Sequence, residues 1–125
     1  MTFKERVEIG EHVLYLGDAR EILPTLQADA CVTDPPYGLG DKWKGSGDTE
    51  WTFGGEHFSW DAKAPDAEVI NAIAAFKKAI IWGGNYYALP PMRGWLIWDK
   101  IQEHNSSHAE MAWTTIDQPV RAFNY

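Results

Sequence analysis

Residues 32–38 read Val-Thr-Asp-Pro-Pro-Tyr-Gly, an apolar run that ends in an acid, two prolines, an aromatic ring and a glycine. Pro35 and Pro36 fix φ and leave two backbone nitrogens without hydrogens. Each residue before a proline is pushed to extended geometry. The segment is therefore stiff, and its carbonyls have no helix or ladder to join. It offers the Asp34 carboxylate and a neighbouring backbone carbonyl as acceptors, with the Tyr37 ring beside them. Two acceptors and a flat ring suit a planar group carrying an exocyclic amine: the acceptors take its two hydrogens and the ring lies on its π face. Gly38 then lets the chain turn away.

Such a turn has to be held by something rigid. "DACVTD" (29–34) is a short apolar run of buried-strand type. "VEIGEHVLYLG" (7–17) alternates and is rich in β-branched residues, which predicts a strand with a short leading hairpin at Gly10-Glu11. In "DAREILPTL" (18–26) Asp18 is a candidate N-cap, Glu21 completes a capping-box variant, and Pro24 limits the helix to one or two turns. Residues 38–63 are rich in Gly, Trp and charge without a period, which predicts a long loop. "APDAEVINAIAAFKKA" (64–79) predicts the longest helix, with Pro65 and Asp66 at its start, Val69, Ile73, Phe76 and Ile80 on one face, and Lys77 and Lys78 at its end. "AIIWGG" (79–84), "GWLIWDK" (94–100) and "AEMAWTTI" (109–116) predict three more strands, joined first by the proline-bearing connector 85–94, and "QPVRAFNY" trails to the end. Strands alternating with helices predict an α/β fold, an open sheet parallel at least in its first part. Ligands of such sheets sit outside the carboxyl ends of the strands. Asp18, Asp34, Gly83-Gly84 and Asp99 all fall at predicted strand ends.

Composition narrows the class. The 125 residues are 45% apolar and 23% charged, a globular composition with room for one core. One cysteine, Cys31, excludes an internal disulfide and reads as a small buried apolar residue. No apolar run approaches the roughly 20 residues of a membrane span, and the first residues hold no signal core. A cytoplasmic protein without membrane partners is expected. The net charge of −7 has the wrong sign for a free-standing nucleic-acid binder.

The run "LYLGDAREILPTLQADACVTDPPYG" resembles the amino-methylating DNA methyltransferases, which act on adenine N6 or cytosine N4. It is most similar to their circularly permuted group, in which the catalytic half comes first. The likeness is specific over 13–38 and looser over "IIWGGNYY", "GWLIWDK" and "HAEMAW". The resemblance implies a Rossmann-like sheet, S-adenosyl-L-methionine as cofactor and a flipped DNA base as substrate. It implies that Asp34 and the Pro35 or Pro36 carbonyl accept from the target amine, that Tyr37 stacks on the base, and that Asp18 and Asp34 meet the cofactor. Aspartate at the first motif position leans toward adenine N6.

The resemblance also implies a Phe-x-Gly-x-Gly cofactor loop and a target-recognition segment, and nothing after Tyr37 matches the loop. The expectation is one domain, 1–125, forming the N-terminal catalytic part of a methyltransferase truncated before those regions, with weak cofactor and DNA binding by itself; a homodimer stays open. The alternatives are an RNA base amino methyltransferase and an inactive or accessory fragment that works through a partner.

Other features carry two readings each. Asp18 is a plain cap or a cofactor contact. Trp43, Lys44 and Trp60, with Lys42, Trp51 and Phe53, are loop packing or a lid over substrate. Trp98-Asp99-Lys100 is a strand end with an ion pair. Asn85 faces a pocket or serves a turn. His104 and His108 lack a third ligand, so no metal is expected.

Overall fold

The computed structural model describes residues 3–38, 63–102 and 107–125. The expected loop at 38–63, with Trp43, Lys44, Trp51, Phe53 and Trp60, lies outside the described residues apart from its two end positions, as does His104.

The architecture is mixed α/β. Strand β1 (Phe3–Ile9) and β2 (His12–Gly17) form an antiparallel hairpin that turns at Gly10-Glu11. A short helix α1 (Ala19–Ile22) and one 3-10 turn (Leu23–Thr25) follow, with Pro24 inside the turn. The other strands are β3 (Ala30–Thr33), β4 (Lys78–Trp82), β5 (Leu96–Asp99), β6 (Ala109–Thr114) and β7 (Arg121–Asn124). They make one five-stranded sheet in the order β3-β4-β6-β5-β7.

β3 and β4 are parallel, as expected, with Val32 opposite Ile80. β6 runs antiparallel to both β4 and β5, and β7 runs parallel to β5. Four strands thus point one way and β6 points back between them. The carboxyl ends of β3, β4, β5 and β7 share one edge.

Four expectations change. β3 is a sheet-edge strand and not a buried one, with Val32 66% exposed. The β1–β2 hairpin is a separate two-stranded sheet, so Asp18 does not stand at the end of a strand of the main sheet. Helix α2 spans only Ala67–Ala74. Pairing of Ala30 with Lys78 and of Val32 with Ile80 draws residues from 78 onward into β4, so Ile80 faces other strands instead of extending the helix face. The tail is a strand: Arg121 N–H donates to the Trp95 carbonyl at 2.9 Å, and Leu96 to Asp99 pair with Arg121 to Asn124. All of β7 is exposed, so it has no apolar alternation that would mark it in advance.

The core joins α2 to the sheet. Ile73, Ala79, Ile81 and Trp113 are buried together, with Val69 and Phe76 packed against them. Thus three of the four positions expected on the helix face reach the core. The Trp113 indole donates to the Pro90 carbonyl at 2.8 Å, which ties the proline-bearing connector to this core. Thr115 clamps the start of β4, accepting at its side chain from Ala79 N–H at 2.8 Å and donating from its own N–H to Ala79 O at 3.1 Å. No helix among the described residues is long and apolar enough to cross a membrane.

Candidate functional site

Asp34, Pro35, Pro36 and Tyr37 leave the carboxyl end of β3, beside the carboxyl end of β4. β4 ends at Trp82, and Gly83 follows with φ +69, a left-handed conformation that favours glycine. Gly83 also makes room for the motif: a β-carbon there would stand 2.1 Å from Tyr37 Cε1. Gly84 plays the same part for the core, since its β-carbon would stand 2.5 Å from Trp113 Cβ. The Gly-Gly step therefore lets the tyrosine ring and the central tryptophan approach one backbone.

Tyr37 folds back on its own motif. Its hydroxyl donates to Asp34 Oδ1 at 2.5 Å. Its ring stacks on Tyr86, with centroids 4.7 Å apart and planes 17° from parallel. Burial, then the hydrogen bond to Asp34, then the charges of Asp34 and Glu110 push the Tyr37 phenol far above its ordinary range. The hydroxyl keeps its proton and remains a donor to the carboxylate.

The proline carbonyls have a partner as well. Tyr87 Oη lies 2.8 Å from the Pro35 carbonyl oxygen and 2.7 Å from that of Pro36. One hydroxyl proton is shared between two acceptors. Each carbonyl has two lone pairs, so each keeps one for another donor. Pro35 is buried and Asp34 is exposed, so the turn presents its acid outward from a fixed base.

Asn85 and Tyr86 sit in a 3-10 turn (Gly84–Tyr86), both exposed, with Tyr87 just beyond it. Tyr86 and Tyr87 are the site residues that sequence reasoning missed. The available signal was an aromatic pair one residue after Gly-Gly, in Gly83-Gly84-Asn85-Tyr86-Tyr87, at the end of a strand parallel to that of the Asp-Pro-Pro-Tyr motif.

Asp18 stands elsewhere, outside the main sheet. It caps α1, accepting from Arg20 N–H at 2.9 Å. The Arg20 guanidinium grips both carboxylate oxygens, with Nε 3.0 Å from Oδ1 and Nη2 2.5 Å from Oδ2. Arg20 Nη1 also lies 3.5 Å from Asp66, which links α1 to the start of α2. Arg20's side-chain bonds, more than its backbone bond, hold the Asp18 carboxyl at about 2. Arg20 thus engages both oxygens of Asp18 within the chain, while 39% of the Asp18 side chain stays exposed.

Asp99 ends β5, three strand steps of roughly 4.8 Å each from β3. It is too far to act with Asp34 on one small group. Its Oδ1 accepts from Ile101 N–H at 2.9 Å, and Ile101 has φ +50. The ion pair of this strand end is made by Lys100 with Glu110 on β6, not with Asp99. Lys100 also lies 5.7 Å from the Trp98 ring centroid. A cleft at this end of the sheet is lined by Asp99, His108, Ile97 and Ala122. No cluster of three metal-ligating side chains occurs among the described residues. Cys31 is half-buried and packs on the core, and burial raises its thiol pKa.

The structure therefore brings together Asp34, Pro35, Pro36, Tyr37, Gly83 and the tyrosine pair and sets Asp99 apart, with Asp18 at the start of α1 outside the main sheet. No family model, curated protein or solved structure matches the chain.

Proposed function

We propose that the chain carries the amine-binding part of a methyltransferase active site, acting on the exocyclic amino group of a flipped DNA base, adenine N6 foremost, on a Rossmann-like sheet. One observation carries this reading. The Asp34-Pro35-Pro36-Tyr37 turn leaves a parallel strand with a carboxylate, two carbonyls with a lone pair each to give, and an aromatic plate on four consecutive residues. The sequence resemblance over residues 13–38 names the reaction that uses such a set.

S-adenosyl-L-methionine is the donor on the strength of that resemblance. Asp18, the residue that the resemblance sets against it, is paired with Arg20 and stays partly exposed.

Asp34 accepts one hydrogen of the target amine and a proline carbonyl accepts the other. Tyr86 moves off the Tyr37 ring, which then stacks on the base once it is out of the helix. As the amine nitrogen is alkylated its hydrogens become more acidic, so both acceptors hold them more strongly than in the ground state. Interactions that strengthen in that direction lower the barrier, and Asp34 need not be a strong base to provide them. With a net charge of −7, the chain is expected to meet DNA weakly and with strong salt dependence.

The test is expression of the whole open reading frame that encodes this chain in a host without DNA amino methylation. Digested genomic DNA and total RNA are then analysed for methylated bases by mass spectrometry. N6-methyladenine in DNA, lost in Asp34→Ala, is the expected result; N4-methylcytosine would move the target. Label confined to RNA, or a rate unchanged by Asp34→Ala, overturns the reading.

A further inference from the structure

The structure points to Tyr87 as a positioning residue of this site: its hydroxyl sets the direction in which a proline carbonyl meets the target amine. This rests on the function proposed above and deepens it.

The geometry comes from both ends of the side chain. At its base, the Tyr87 ring packs against the buried cluster of Ile73, Ala79, Ile81 and Trp113, and its N–H donates to the Gly84 carbonyl at 3.4 Å. At its tip, one hydroxyl reaches two consecutive carbonyls at 2.8 and 2.7 Å, 52 and 51 residues away in sequence. Tyr87 is a strut between the core and the motif.

The motif needs such a strut. Pro35 and Pro36 have no N–H to pair, and β3 has already ended at Thr33. No ladder fixes the two carbonyls. Without Tyr87 their directions would follow only the stiffness of the Pro-Pro unit.

The shared proton has a further consequence. A hydroxyl between two acceptors can settle on either. When the target amine donates to one carbonyl, the Tyr87 hydroxyl moves fully to the other, and neither part-buried carbonyl loses its partner. Binding of the amine is thus compensated inside the site. Because a carbonyl's hydrogen bond to the amine strengthens as the nitrogen is alkylated, a wrong direction is felt in the transition state more than in binding.

Tyr87→Phe keeps the ring and removes the hydroxyl. In the methylation assay, kcat is expected to fall about tenfold, the size of one neutral hydrogen bond realised at the transition state. KM for S-adenosyl-L-methionine is expected to hold. The adenine-to-cytosine product ratio should also shift, which a loss of stability alone does not produce. A ring-fluorinated tyrosine at position 87 keeps the contact but loses its proton at lower pH, so the alkaline limb of the rate profile moves downward; this variant serves if Tyr87→Phe does not fold. An active wild type whose kcat, product ratio and rate profile stay within twofold in both variants sinks the role of Tyr87 alone. A wild type that methylates neither DNA nor RNA sinks the function and this inference with it.

Discussion

The ring of Tyr37 lies on the bare backbone of Gly83: a β-carbon at that glycine would stand 2.1 Å from Cε1 and 2.7 Å from Cδ1. The contact joins the end of β3 to the end of β4, so the aromatic plate is positioned by an absence of side chain. Gly83→Ala is expected to combine this clash with the strain of a left-handed φ of +69. A loss of about 2–5 kcal/mol follows if the two effects add, strain of roughly 1–2 kcal/mol and overpacking of roughly 1–3. Urea unfolding measures it. A midpoint equal to wild type would show that Tyr37 does not need Gly83.

The phenol of Tyr37 should titrate last. Burial and the bond to Asp34 raise its pKa far above the ordinary value of 10.0. A group whose folded pKa is raised contributes stability that is complete below its unfolded value and is lost as pH climbs above it. Stability should therefore fall as pH rises past about 10, and less steeply in Tyr37→Phe. Ultraviolet titration of tyrosinate, with denaturant midpoints along the same series, checks both. Loss of the Tyr37 signal at the ordinary phenol pH would contradict the buried donor.

Tyr86 occupies a face of Tyr37 that a flipped base would use. Its side chain is 45% exposed, so little burial is lost when it moves. An aromatic pair of this kind contributes roughly 0.5–1.5 kcal/mol, so Tyr86→Ala is expected to lower KM for DNA by about two- to tenfold at nearly unchanged kcat. Methylation kinetics on a duplex oligonucleotide give the answer. A raised KM would make Tyr86 a support for the base instead of its competitor.

Asp18 has a pH signature of its own. Arg20 lowers its carboxyl from 3.8 to about 2, so the pair stabilises the fold above about 3.8 and loses this contribution as pH falls toward 2. Asn also caps helices well, so Asp18→Asn removes the charge and spares the cap. The stability gap between wild type and Asp18→Asn should narrow across that window in acid unfolding followed by circular dichroism. A gap of constant size from neutral pH down to pH 2 would mean that the ion pair contributes nothing.

Local chemistry was enough for much of this molecule. The Pro-Pro turn after an apolar strand, the Asp18 cap and the turn at Gly10-Glu11 all follow from residues close together in the chain. Prolines, caps and short apolar runs act over a few positions, whatever surrounds them. The tertiary structure alone decided the rest. The tail became β7 because β5 had an open ladder to fill, and an exposed four-residue strand has no pattern of its own. β6 entered between β4 and β5, which separated Asp99 from Asp34. Asp18 pairs with Arg20, which also reaches Asp66 at the start of a helix far along the chain. The acceptors of the Asp-Pro-Pro-Tyr turn were legible from residues 34–37, but their orientation was not. That is set by Gly83, Tyr86 and Tyr87, which reach the motif only because two distant strands lie side by side, and pairing across such distances depends on the whole core.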